Sequence, residues 1–241
     1  MSFNIYLKIF LIISLSFKIF AYQNDFAMKA GFALAINSFN TLQDEGDIKD
    51  ETNSYGAYTT FSYRFKRSEV GLDSRITLGK ATDLDFEFEG STVTGSGNIR
   101  LVDITPYFRY STKDFKFPKF VERLISDINR NSWVAYAKLG PSWVIQTLDL
   151  NSLNLTGTLK QDYKITYESF GANIGIGIEE VTLFKETNPV FIEVNASAFE
   201  SYKVSLVDKS NSREINILSE RDADQEIKTF QLAFIIGVTL F

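Results

Sequence analysis

Past residue 26 the apolar positions recur with a period of two, not 3.6, in eight separate stretches. This alternation predicts strands at 27–39, 54–65, 70–79, 99–110, 133–146, 165–178, 190–202 and 227–241. Each stretch has one greasy parity. Phe32, Leu34 and Ile36 carry it in the first, Phe61, Tyr63 and Phe65 in the second, and Leu72, Ile76 and Leu78 in the third. Ile104, Phe108 and Tyr110 continue it, then Leu139, Trp143 and Ile145, Ile174, Ile176 and Ile178, Ile192 and Val194, and finally Leu232, Phe234 and Ile236. No charged residue falls on these stripes. The opposite parity holds Lys29, Arg64, Asp73, Arg75, Asp103, Arg109, Lys138 and Glu193, among small and polar residues such as Gly31, Asn37, Ser142, Asn173 and Gln231. Glu168 and Glu200 prolong the apolar parity just beyond two stretches and are expected at an outer rim.

Two architectures share such a pattern. A soluble barrel or sandwich turns its apolar face inward, whereas a membrane barrel turns it toward lipid and lines its interior with the polar face. An eight-stranded interior is just wide enough for side chains to fill it, and cannot hold some forty apolar and aromatic groups. The aromatics also gather at the strand ends. Tyr63, Phe65, Phe108, Tyr110 and Trp133 would share one level, and Tyr55, Trp143, Phe170 and Phe230 the other, as two interfacial girdles do. Strands of about 10 residues, tilted about 40°, cover the apolar band of about 25 Å that such barrels present. The expected fold is therefore all-β, an eight-stranded antiparallel up-and-down transmembrane β-barrel. An exported soluble barrel that binds an apolar ligand stands as the alternative.

The first residues add a destination. Residues 3–21 form an apolar run with Lys8 and Lys18 and no acid, interrupted by Ser14 and Ser16 and followed by a small residue, Ala21. This reads as a secretory signal peptide over 1–21, leaving 22–241 as the barrel domain. With an even strand number both barrel ends lie on one side, expected to be the periplasm. The connections 40–53, 80–98, 147–164 and 203–226 would then be extracellular, and 66–69, 111–132 and 179–189 periplasmic. The first two outer segments are acidic, net −4 and −3, through Asp44, Glu45, Asp47, Asp50 and Glu51 against Lys49, and through Asp83, Asp85, Glu87 and Glu89 against Lys80. Within 111–132 the period changes. Phe120, Val121, Leu124, Ile125 and Ile128 fall on one face of a short helix near 118–130, opened by Pro118.

Ile104-Thr105-Pro106-Tyr107-Phe108-Arg109-Tyr110, Lys138-Leu139-Gly140-Pro141-Ser142-Trp143 and the closing run Phe230 to Phe241 carry a likeness to a known group. With them the chain resembles the small eight-stranded outer-membrane barrels, the outer-membrane protein A barrel domains and their relatives. The resemblance implies a cell outer membrane location in a Gram-negative envelope. It also implies contact with outer-membrane lipid and lipopolysaccharide, and recognition of the last strand by the barrel-assembly machinery through an aromatic C-terminus. Phe241 supplies that aromatic, one residue out of step with Leu240, Val238 and Ile236.

Composition then narrows the chemistry. The chain has no histidine and no cysteine, so imidazole bases, thiol nucleophiles, thiolate metal sites and disulfides are excluded. A net charge of −5 speaks against nucleic acid as a partner. One carboxylate pair, Asp73 with Asp103 on neighbouring strands, could replace an imidazole, with Arg75, Arg100 and Lys138 as basic neighbours. The simpler expectation is an ion-pair network that neutralises itself and fills the lumen. No pattern calls for a cofactor or a bound metal, and no catalytic set emerges. The expectation is a non-enzymatic, monomeric barrel with a plugged lumen, acting in envelope structure or surface contact through its acidic outer loops; a small channel is the further alternative.

Overall fold

The computed structural model describes residues 26–40, 49–88, 91–116, 132–154, 160–181, 188–209, 214–216 and 228–240. The expected signal peptide over 1–21, the helix expected near 118–130 and Phe241 lie outside them. Nine strands follow one another: β1 (Phe26–Asn40), β2 (Lys49–Phe65), β3 (Ser68–Phe88), β4 (Ser91–Ser111), β5 (Ser132–Asn154), β6 (Lys160–Val181), β7 (Val190–Asp208), β8 (Glu214–Asn216) and β9 (Lys228–Thr239). Each long strand pairs antiparallel with its sequence neighbours, and β9 pairs with both β7 and β1. The ring is therefore closed by eight strands, while the three-residue β8 extends only the upper part of β7. Closure leaves no unpaired sheet edge to satisfy, which is what allows a β structure to stand in hydrocarbon.

All eight expected strands are present, and their faces point as the alternation requires. Phe32, Leu34, Tyr55, Leu72, Ile76, Leu139, Trp143, Ile174, Ile176 and Phe234 are exposed on the outer face. Lys29, Asp73, Arg75, Asp103, Arg109, Lys138, Glu193 and Gln231 are buried on the inner one. Ring pairs join outward aromatics at both levels, Phe26 with Tyr63 at 5.2 Å near the β2–β3 turn and Trp143 with Phe170 at 5.0 Å near the other end. Trp133 departs from its expected place in the lower girdle. It is buried, because the chain leaving β4 doubles back and Phe115 exchanges two backbone hydrogen bonds with it, each 2.8 Å.

The strands outrun the sequence pattern in the upper half. Segments 80–98 and 147–164, expected as loops, are largely hairpin ladders in which β3 pairs with β4 as far as Phe88 and Ser91, and β5 with β6 as far as Asn154 and Lys160. The reason lies in polarity. Below about Val102 the outer face is apolar and the inner face charged. Above it Ile99 and Leu101 of β4, Leu148 and Leu150 of β5, and Ile165 and Tyr167 of β6 are buried inside. Their outward neighbours there are Asn98, Arg100, Asp149, Lys164 and Thr166. Period two persists, but the sign of the two faces reverses, as it must where lipid gives way to water around a continuous sheet.

Two prolines and two glycines shape the wall. The β4–β5 ladder is interrupted between the pairs Ile104–Trp143 and Phe108–Leu139, where Pro106 and Pro141 offer no N–H. The hydroxyls of Thr105 and Ser142, 2.5 Å apart, bridge the interruption from inside. Gly71 and Gly177 leave room for inward tyrosines. A Cβ on Gly177 would lie 2.5 Å from the Tyr136 ring and 2.6 Å from the Ile192 carbonyl oxygen, and one on Gly71 would lie 2.7 Å from Tyr107. Gly177→Val should therefore destabilise the barrel by about 1–3 kcal/mol. A lower unfolding temperature on gels of unboiled samples is the readout, with Ala172→Val, on the lipid face of the same strand, unchanged.

Candidate functional site

The inward charges assemble into three stacked layers. The lowest sits beside the β2–β3 turn and joins Lys29 of β1, Arg64 of β2, Glu69 of β3, Arg109 of β4 and Glu179 of β6. Glu179 accepts from Lys29 at 3.0 Å and lies 2.6 Å from a guanidinium nitrogen of both Arg64 and Arg109. Glu69 accepts from Arg64 Nε at 2.9 Å and stands 3.3 Å from Arg109 and 3.7 Å from Lys29. The Tyr107 hydroxyl donates to Glu69 at 2.5 Å, and the Thr239 hydroxyl to Glu179 at 2.9 Å. The Arg109 guanidinium lies over the Tyr136 ring, 3.6 Å from its centroid. This layer holds three cations against two anions.

In the middle layer the Lys138 ammonium meets Asp73 and, at 2.5 Å, Glu193. Tyr58 donates its hydroxyl proton to Asp73 at 2.7 Å, and Tyr136 donates to Glu193 at 2.9 Å. One cation faces two anions. In the upper layer Arg75 pairs with Asp103 and donates to Gln231. From Gln231 a polar chain continues to Asn37 at 2.5 Å, on to Ser54 at 3.0 Å and to Thr77 at 3.1 Å. Above it the apolar groups Leu101, Val144 and Phe199 close together, and beside the layers Phe191, Tyr58, Ala33 and Ile235 form a second apolar knot.

Among the described residues the lumen thus carries five cations and five anions, and the excess of one layer offsets the deficit of the next. Asp73 and Asp103 do not form the carboxylate pair that their neighbouring strands suggested. Their registers differ by two positions, Asp73 opposite Thr105 and Asp103 opposite Arg75, and each is held by its own cation. Arg100 is no neighbour of either. It has outward parity and is exposed on the upper rim. Glu69 and Glu179 were assigned by pattern to turns, yet they are the two anions that hold the lowest layer together. Their signal was present: Glu69 continues the inward parity of Gly71, Asp73 and Arg75, and Glu179 that of Asn173, Gly175 and Gly177. Among the described residues no group of three or more acidic side chains is placed to hold a metal ion.

Of the hollows bordered by described residues, two carry clustered basic side chains. One of about 310 Å³ opens at the turn end and is lined by Arg64, Lys66, Arg67, Ser68, Glu69, Arg109, Ser111, Thr112 and Glu180, among others. The other, about 860 Å³, lies at the level where the outer face turns polar; Tyr55 and Leu78 line it with Lys80, Asn98, Arg100, Asp149 and Lys164.

Comparison with solved structures finds matches of low sequence identity. It is similar to Neisserial surface protein A, at 13% identity over 89% of this chain and 96% of that one, with a TM-score of 0.42. It is similar also to Ail, the attachment invasion locus protein of Yersinia pestis, at 13% identity over 89% and 97% of the two chains, TM-score 0.36. The outer membrane protease OmpT of Escherichia coli aligns at 10% identity over 89% and 95%, TM-score 0.32. No family model matches the sequence, and no curated protein does. The architecture of a closed, eight-stranded antiparallel barrel with its apolar face outward rests on the structure of the chain itself.

Proposed function

We propose that this chain is a non-enzymatic barrel of the cell outer membrane whose lumen is sealed and whose work is done at its outer surface. The observation that carries the reading is the pairing of five lumen cations with five anions across seven strands. Charges of both signs at ion-pair distance in so narrow an interior neutralise one another and leave no continuous water path. The apolar contact of Leu101, Val144 and Phe199 above them adds a dry stopper. Asp73 and Asp103, each occupied by its own cation, are not arranged to exchange a proton with one another, which favours a structural over a catalytic role for both.

The surface partners follow from the same polarity. Outer-membrane lipid covers the apolar band. Lys80, Arg100 and Lys164, gathered in one hollow immediately above that band, suit the phosphates of lipopolysaccharide. The acidic hairpin ends serve surface contact, and the last strand, β9, is the segment offered to the barrel-assembly machinery. The barrel acts as a monomer. Reconstitution in planar bilayers tests the sealed lumen: no reproducible conductance step is expected, and a steady step would overturn the reading. Extraction only with detergent, and faster gel migration before boiling than after, are expected of the folded protein. A chain that keeps its fold as a free monomer in plain buffer would sink the membrane assignment.

A further inference from the structure

We infer that the turn-end mouth of the barrel is a binding site for a phosphate-like oxyanion. The lowest layer has one cation more than it has anions, and its acceptors are spent. Both oxygens of Glu69 and both of Glu179 already face Lys29, Arg64, Arg109 or a hydroxyl. A donor is left over. Arg109, with only 4% of its side chain exposed, has an NH1 group that makes no hydrogen bond, although it lies 3.3 Å from Glu69, and Arg109 lines the 310 Å³ hollow. A buried guanidinium N–H that makes no hydrogen bond keeps the capacity to donate to an incoming anion.

The turn below it provides a second sign. Phe65 pairs with Ser68, so Lys66 and Arg67 form a two-residue hairpin loop, and Lys66 sits at φ 60°. Turns of this length ordinarily place glycine where φ is positive. Here a lysine occupies the strained position, and Lys66, Arg67 and Ser68 all line the same hollow. Strained backbone of this kind clusters at ligand clamps and other functional sites. Glu180, the remaining acid on this wall, is engaged through Oε2 with the Val190 N–H at 3.2 Å.

The test titrates the full chain, folded in detergent micelles at low ionic strength, with inorganic phosphate and, separately, with dihexanoyl phosphatidic acid, followed by calorimetry. Binding of inorganic phosphate assigns a free anion to the mouth, and binding of the lipid alone assigns a lipid headgroup; either supports the site. Lys66→Gly should raise the unfolding temperature by relieving the turn, while weakening binding about tenfold through the lost charge-assisted contact. Arg67→Gln should weaken binding without raising that temperature. Both variants lie on an exposed turn and leave the buried layer intact. No binding of either probe, or equal affinity in the parent and both variants, overturns the inference.

Discussion

Glu179→Gln is expected to lower the unfolding free energy by about 3–5 kcal/mol, the range for breaking one partner out of a buried ion network. The substitution keeps the shape and removes a carboxylate that faces three cations. Lys29, Arg64 and Arg109 would then share Glu69 alone, three positive charges against one inside a barrel whose wall excludes water. Denaturant titration in detergent, followed by tryptophan emission, measures the change. A second substitution shows that charge balance, rather than one lost contact, is responsible. Lys29→Met on the Glu179→Gln background removes an unneeded cation whose ammonium lies 5.5 Å from the Phe191 ring centroid and 5.6 Å from that of Tyr136, so an apolar side chain is accommodated. The double variant should be more stable than Glu179→Gln alone. If the two losses simply add, the layer does not act as a unit.

Ile174→Arg should destabilise the barrel in lipid vesicles by about 2–4 kcal/mol, whereas Thr166→Arg on the same strand and the same outer face should change stability by less than about 1 kcal/mol. Ile174 lies in the middle of the apolar band of β6, 63% exposed and flanked on its face by Ala172 and Ile176. Thr166 lies on the outer face above Glu168 and beside Lys164, where that face is polar. The contrast isolates depth from strand, parity and residue type. Equal effects at the two positions would mean that the polar rim does not mark the limit of the hydrocarbon.

The membrane-spanning half of the fold was legible because lipid and lumen impose opposite demands on successive residues, and Leu72-Asp73 or Leu139-Lys138 state that demand openly. The upper half was not. Leu148-Asp149-Leu150 alternates just as cleanly, but with reversed faces, so a reading tuned to one outward stripe takes it for loop. The lowest charged layer was half visible for a related reason. Lys29, Arg64 and Arg109 fall within unmistakable strands, whereas Glu69 and Glu179 stand one position from a turn and one from the end of a long apolar run. Alternation alone does not say where pairing stops. Which carboxylate meets which cation was beyond reach altogether, since it depends on register around a closed ring: Asp73 reaches Lys138, two strands away, rather than Arg75 on its own strand. Trp133 was misplaced because its parity is outward but its cover comes from Phe115, a residue with no sequence pattern to announce it.

The reversal of faces at Arg100 and Leu101 also fixes how deep the barrel sits. A shift of one residue pair along the strands, about 5 Å of height at a tilt near 40°, would drag Arg100 and Lys164 into acyl chains or lift Leu78 and Ile145 into water. Neither displacement is cheap, and the sheet is too well paired to shear. In a thinner or thicker bilayer it is therefore the lipid that must yield, puckering to meet a collar of fixed elevation.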